Sequence, residues 1–520
     1  MSTTRYSTMS VHKRLWGARS IGRHALCSAL MLLTACSSGG DSGPETNSPL
    51  STPMALVVNQ DDTTMTTLRL DGKHSPVIST LSLGPMQTDA IGGVTFSLGE
   101  WIFVTNTATN KVAAIDPIVG LAPILESFLD VNPANPLVKI GERPTRIYRD
   151  PVDKEVLWTM NDGDATTGID TVANCSRGGS VSVLHNSHLS AGGEKPRVTS
   201  LVCLSGKGEH LVAFARPPVT AQEVAFVSSK TTGLISVLLP VPTAGGNVAW
   251  SEFFVKIDLC DSAKETLLGH GACDGDATTP NHSLPAGLFW SQVTGKIYAY
   301  LSGYGTVVEI DPATLSITRK VDITPPLPSH TVFHSVGITP NGHSLFLVGE
   351  DRDSDQDHVF GTFGSIDLTA VGALSATELS FPRLSDIRPA RFQFTPDGVR
   401  IYMTQSNDAG GLNPPQATSL RKDLLLIFDP SSFISLVSEL ALPPAEMHAM
   451  DLWVTGPQGT GSAKGVVVTN ATPGVNGTVS LIDGATNAIT ATIPVGKNPK
   501  QVTVYYYGLA ASDNQATPIW

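Results

Sequence analysis

The chain has 520 residues and a formal net charge of −12, with only 15% of its residues charged and 6% aromatic. Such an acidic balance repels nucleic acid and excludes it as a partner, while the wealth of Thr, Ser and Gly fits an exported β-protein better than a cytosolic enzyme. After Cys36 no stretch is long and apolar enough to cross a membrane as a helix.

Residues 1–35 read as an export signal. Arg5, Lys13, Arg14, Arg19 and Arg23 make a basic start without an acid, Ala25 to Leu33 is a short apolar core, and Leu33-Thr34-Ala35-Cys36 resembles a bacterial lipobox. The resemblance implies that Cys36 becomes the lipidated first residue of the mature chain, a membrane anchor through lipid alone. Ser37 after it resembles outer-membrane sorting, and leaves open whether the periplasmic or the surface face is reached. An ordinary cleaved signal peptide is the alternative. Removing those five cations takes the net charge to about −17. Residues 36–53 are too poor in apolar side chains to fold and read as a flexible tether.

From residue 54 to 510 one pattern repeats, before a short tail at 511–520. An apolar strand ending in Asp occurs as LRLD at Asp71, AAID at Asp116, VKID at Asp258, VEID at Asp311, GSID at Asp367, LIFD at Asp429 and SLID at Asp483, and SVSVLH ending at His185 fills the wide gap. The spacings, roughly 45 to 73 residues, exceed the 40–50 of a propeller blade, so several blades carry inserts. Pro144, Pro285, Pro389 and Pro499 each open an apolar run, as innermost strands should. The clearest stretch, Gly465 to Val504, reads as three short strands and the start of a fourth, parted by Gly, Asn, Pro and Asp turn signals. The run from Pro499 to Tyr507 has no later blade to begin, and Asp71 lacks an innermost strand before it. The two ends are therefore expected to share a blade, which removes exposed sheet edges. The expectation is an all-β chain forming a single β-propeller of eight blades, closed by pairing of its N- and C-terminal strands. Seven blades is the near alternative; a β-sandwich array or two smaller domains is the distant one.

IFVTN (Ile102 to Asn106) followed by NKVAAIDP, and VVVTN followed by GTVSLIDGATNAITATIPVG, are similar to the YVTN family of β-propeller repeat proteins of bacterial and archaeal envelopes. The match is by motif in the final blade and at Ile91 to Pro117, and by pattern alone between Pro144 and Ala277. The resemblance implies a binding or scaffold module at the cell envelope. Relatives with similar propellers include lactonases and haem- or quinone-linked oxidoreductases, so a channel-mouth hydrolase or redox enzyme is the alternative.

Of the six cysteines, Cys27 leaves with the signal and Cys36 carries lipid. Cys175, Cys203, Cys260 and Cys273 remain, an even number suited to two disulfides in an exported chain. Three pairings are possible, and Cys175 with Cys203 and Cys260 with Cys273 each close a loop within a long blade. No CxxC spacing recommends a metal site instead. The hexapeptide DGDATT occurs twice, at 162–167 and 274–279, as a candidate Ca²⁺ turn or a solvated one. Asp351, Asp353, Asp355 and Asp357 alternate like the first half of a calcium loop, but Gln356 replaces its Gly and Thr362 its Glu. A structural Ca²⁺ loop and a plain acidic turn both stand.

Aligning the innermost strands on their Pro-x-x starts puts Arg146 and Arg391 at one equivalent position, with Gly93, Gly287, Ser335, Met450 and Gln501 at the others. These arginines fall in blades three and seven, which face each other in a ring of eight. Two guanidiniums across a channel favour a small carboxylate or phosphate ligand; local pairing with Glu142 or Asp386 is the alternative. His334 and His448 fall near innermost-strand starts and are the other candidate ligand contacts, although a lone channel histidine is more often hydrogen-bonded filler. His330 and His334 stand four apart in a strand, about 13 Å, too far for one ion. The chain has no CxxCH, GxSxG, HExxH or phosphate loop, which weakens an enzymatic reading. An envelope protein docking on the loops of blades three and four is the other partner expected.

Overall fold

The strands read as unbroken apolar runs because both of their faces are covered. Ile102–Asn106 is buried at all five positions, and in Thr52–Asn59 the residues Met54, Leu56 and Val58 pack toward one neighbouring sheet while Ala55 and Val57 pack toward the other. The computed structural model describes residues 52–507 apart from connecting segments, the longest of which are 164–174, 186–195, 260–282, 379–388 and 406–422.

Among the described residues eight antiparallel sheets follow one another around an axis, seven of four strands and one with a fifth, short strand. Given from the innermost strand outward, blade 2 is Ile91–Phe96, Ile102–Asn106, Lys111–Asp116 and Ile124–Leu129; blade 3 is Pro144–Arg149, Val156–Asn161, Ser180–His185 and Arg197–Cys203. Blade 4 is His210–Ala215, Val224–Ser229, Leu234–Pro242 and Val248–Glu252; blade 5 is Pro285–Ser291, Lys296–Leu301, Thr306–Asp311 and Ser316–Asp322. Blade 6 is Thr331–Ile338, Ser344–Arg352, Val359–Asp367 and Ala376–Glu378; blade 7 is Pro389–Phe394, Ile401–Gln405, Leu424–Asp429 and Ser435–Ala441. Blade 8 is Met450–Val454, Ala463–Asn470, Asn476–Asp483 and Ala488–Lys497. Blade 1 is the shared one: Pro499–Tyr507 is innermost and pairs with Thr52–Asn59, followed by Thr64–Arg69 and Val77–Ser82. Each pair of adjacent blades encloses its own apolar cluster, including one between blades 8 and 1. The seam is reinforced by Asp61, which accepts from the Gly474 N–H (2.6 Å) and the Asn498 amide (2.9 Å), and by Asp62, which accepts from the Lys497 N–H (2.6 Å).

The Asp at the end of a third strand has a local cause. Asp367 Oδ1 accepts from the Thr369 N–H and hydroxyl, and Asp483 Oδ1 from the Ala485 and Thr486 N–H groups, so the carboxylate caps the turn into the outer strand. Those bonds hold both carboxyls below the ordinary range. VKID is a correction. Ile257–Asp258 is not the third strand of blade 4 but a short piece that pairs with Leu234–Ile235, beside Val248–Glu252 pairing with Leu238–Pro242. The outer strand is broken in two, and a short apolar run closed by Asp imitates the third-strand pattern there.

The Asn ending VVN, TMN and VTN second strands is also structural. Asn59 Nδ2 donates to Thr64 and Thr66, Asn161 Nδ2 to Ser180 and Ser182, and Asn470 Nδ2 to Thr478 and Ser480, all at 2.9–3.1 Å. Each buried amide thus stitches its strand to hydroxyls of the third strand. In blade 2 the opposite residue is Lys111, and Asn106 Oδ1 instead accepts from the Thr109 N–H.

Candidate functional site

The inner strands of blades 1, 2, 3, 5, 6 and 7 share a β-bulge near their starts, where the register skips Lys500, Gly92, Thr145, Ala286, His334 and Ala390. A bulge re-aims the side chain that follows it. The following residues include Arg146, Gly287, Ser335 and Arg391, and all four line one cavity of 240 Å³ in the channel. The equivalence of these positions is thus a backbone device repeated from blade to blade.

Arg146 and Arg391 come from blades 3 and 7, four apart in the ring and therefore opposite. Both are half-buried, and among the described residues neither has a carboxylate at salt-bridge distance. Asp386 lies outside the described residues. Burial lowers the Arg391 pKa, and the charge of Arg146 lowers it further. For Arg146 burial acts in the same direction, but Tyr148 and then Glu209 and Asp162 outweigh it and raise its pKa. The field is unequal: Arg146 has distant acids to lean on, and Arg391 faces another cation.

Asp162 holds the Arg146 bulge in place. It lies just past the second strand of blade 3, 7% exposed, and its Oδ1 accepts from the hydroxyl of the bulged Thr145 (3.0 Å). Burial is the main cause raising its pKa to about 6; Glu209 adds to the rise, while Thr145, Arg143 and Arg146 oppose it. Sequence reasoning met Asp162 only as part of a possible Ca²⁺ turn. Gly287 serves by its missing side chain: a Cβ there would stand 2.4 Å from Val336 Cγ1 and 2.7 Å from Phe289 Cε2.

His448 does not line this cavity. It is fully buried between blades 7 and 8, with Nδ1 donating to the Thr469 carbonyl (3.1 Å) and Nε2 3.1 Å from Asp423 Oδ1. Both nitrogens are engaged, which makes it a packing element. His334 is the bulged residue of blade 6, and its side chain lies outside the described residues. His210, missed from sequence, starts the inner strand of blade 4; its Nδ1 donates to the Ser228 carbonyl (2.9 Å), and burial lowers its pKa to about 4, so it is neutral.

Cys175 and Cys203 form a disulfide, Cα atoms 5.1 Å apart, that ties the insert of blade 3 to the end of its outer strand. Cys260 and Cys273 lie outside the described residues, as do Asp353, Asp355, Asp357 and the repeat at 274–279. Asp351 sits in a strand ladder opposite Thr331 and Phe360. Among the described residues no group of three or more His, Cys, Asp or Glu is placed to hold a metal ion, and no helix is long and apolar enough to cross a membrane.

No protein-family model matches the chain, and no curated protein is similar to it in sequence. Solved structures do resemble it. The dihydro-heme d1 dehydrogenase NirN shares 12% identity over 89% of this chain and 76% of its own, with a TM-score of 0.52. Apo AztD from Citrobacter koseri shares 14% over 90% and 99%, at 0.46, and a putative 6-phosphogluconolactonase from Bacteroides uniformis 13% over 87% and 99%, at 0.46. The likeness is one of fold.

Proposed function

We propose that the chain is a YVTN-type propeller of the bacterial envelope, lipid-anchored through Cys36, that binds a small anionic ligand in its channel between Arg146 and Arg391. The observation that carries this reading is the convergence of two guanidiniums from opposite blades on one cavity, with no carboxylate at salt-bridge distance among the described residues. Desolvated like charges repel, and an anion accepting from both relieves that cost through charge-assisted bonds. The cavity wall offers donors and apolar surface rather than a base beside a nucleophile, which favours binding over catalysis. The shared role of Asn59, Asn161 and Asn470 supports the family reading, because it gives the VTN-like ending one structural purpose in three blades.

Titration calorimetry on the wild type and on the double variant Arg146→Ala, Arg391→Ala, with small carboxylates and inorganic phosphate, tests the site. The double variant should lose anion binding while retaining its unfolding midpoint. Equal affinity in the two proteins refutes it. Metabolic labelling with palmitate tests the anchor: Cys36→Ala should abolish incorporation, and continued labelling rules out Cys36.

A further inference from the structure

Resting on that reading, the hydrogen-bonding character of the cavity wall narrows the anion. Its polar side chains are Arg146 and Arg391 with the hydroxyls of Tyr148 and Ser335, and among the described residues no carboxylate, amide or imidazole lines it. A guanidinium carries five N–H donors and accepts nothing. The two hydroxyls are therefore the only side-chain acceptors of the wall, and Tyr148 already accepts from Arg146. Both residues lie on the inner strand of blade 3, two apart and so on one face of it. An oxygen that accepts from a guanidinium turns its own proton elsewhere, which leaves the Tyr148 hydroxyl as a further donor. Glu209 and Asp162, the acids that raise the Arg146 pKa, are not part of the wall, and Asp162 is committed to Thr145. A ligand thus meets donors and two fixed positive charges.

Such a wall selects by protonation as well as by charge. A carboxylate offers two oxygens and a single negative charge, which leaves the charge of one guanidinium unmet. Hydrogen phosphate supplies the second charge but keeps an O–H, and a donor left without an acceptor in a desolvated site costs affinity. A tetrahedral dianion without a proton, as in sulfate or a phosphate monoester, presents acceptor oxygens alone and matches both arginines. The cavity of 240 Å³, the equivalent of roughly eight waters, has room for such a head group with water or a small ester substituent beside it.

We infer that the channel site takes a proton-free tetrahedral dianion, sulfate or the head of a small phosphate monoester, in preference to hydrogen phosphate and carboxylates, with the Tyr148 hydroxyl as a third donor beside the two guanidiniums.

Titration calorimetry on the whole chain with sulfate, methyl phosphate, inorganic phosphate and acetate tests this. At pH 7.5 the tighter of sulfate and methyl phosphate should exceed acetate by at least about tenfold, because a second charge is paired in a desolvated site, and should exceed inorganic phosphate severalfold. Which of the two is tighter tells a free ion from an ester head. A phosphate monoester loses its second charge near pH ~6, so methyl phosphate affinity relative to sulfate should fall by about tenfold from pH 7.5 to 5. Taking that ratio cancels the titration of Asp162, which both ligands feel alike. Tyr148→Phe keeps the ring and should weaken sulfate by about tenfold, the loss of one hydrogen bond to a charged group, with the unfolding midpoint unchanged. Unaltered sulfate affinity in that variant overturns the role of Tyr148. Acetate binding as tightly as sulfate and methyl phosphate, inorganic phosphate binding more tightly than both, or a ratio independent of pH overturns the ligand class but leaves the arginine site standing if Arg146→Ala, Arg391→Ala abolishes that binding. Absence of binding by any of these anions overturns both.

Discussion

Replacing Asp162 by Asn should stabilise the protein above pH 6 and leave it nearly unchanged near pH 4. The carboxyl is 7% exposed, and its pKa rises from 3.8 to about 6, first through burial and then through Glu209. A raised carboxyl contributes stability that is fully present below the unfolded pKa and is lost as pH rises through the folded one. A rise of about two units at ~1.4 kcal/mol per unit amounts to roughly 3 kcal/mol of lost stability above pH 6. Asn keeps an oxygen to accept from the Thr145 hydroxyl and removes the buried charge, so this loss should be recovered. Urea unfolding of both proteins at pH 4, 6 and 8 measures it. The advantage of the variant should grow between pH 4 and 6 and then level off. A variant less stable at pH 8, or an advantage independent of pH, would show that Asp162 is not held as a strained carboxylate.

The same group should govern anion affinity: protonating Asp162 removes a charge that competes for Arg146, so carboxylate Kd should tighten several-fold from pH 7.5 to 5.5, and Asp162→Asn should abolish that dependence. In blade 5 the buried Glu309 accepts from Arg319, Tyr298 (2.9 Å) and Thr318 (2.7 Å), while Arg319 also donates to the Ala370 and Gly372 carbonyls at the blade 6 edge. Burial alone would raise the Glu309 carboxyl, but those donors hold it below the ordinary range; Arg319→Met strands the charge and should cost about 3–5 kcal/mol in urea unfolding at pH 7. Removing the disulfide with Cys175→Ser, Cys203→Ser, a separation of 28 residues, should cost about 3–4 kcal/mol in the same assay under oxidising conditions. A loss under 1 kcal/mol in either case contradicts the role given.

Much of the fold is legible because its causes are local. An Asp that caps the turn into an outer strand, as Asp367 and Asp483 do, leaves a mark wherever that turn recurs. Strands covered on both faces must read as apolar runs, and a chain whose last strand has no blade of its own must close on its first. The equivalence of Arg146 and Arg391 was legible for the same reason, since Pro and a bulge open each of their strands. Other features depend on neighbours remote in sequence. Asp258 matches the repeat pattern yet belongs to a broken outer strand, because pairing partners rather than composition decide strand order. His448 stands where a channel ligand would, yet Thr469 and Asp423 take both nitrogens. The raised pKa of Asp162 and the convergence of Arg146 and Arg391 on one cavity arise only when blades 3 to 7 meet around one space. Backbone hydrogen bonding within a blade is a short-range property that sequence periodicity records; burial, charge coupling and cavity shape are set by the whole ring, so tertiary structure alone decides them.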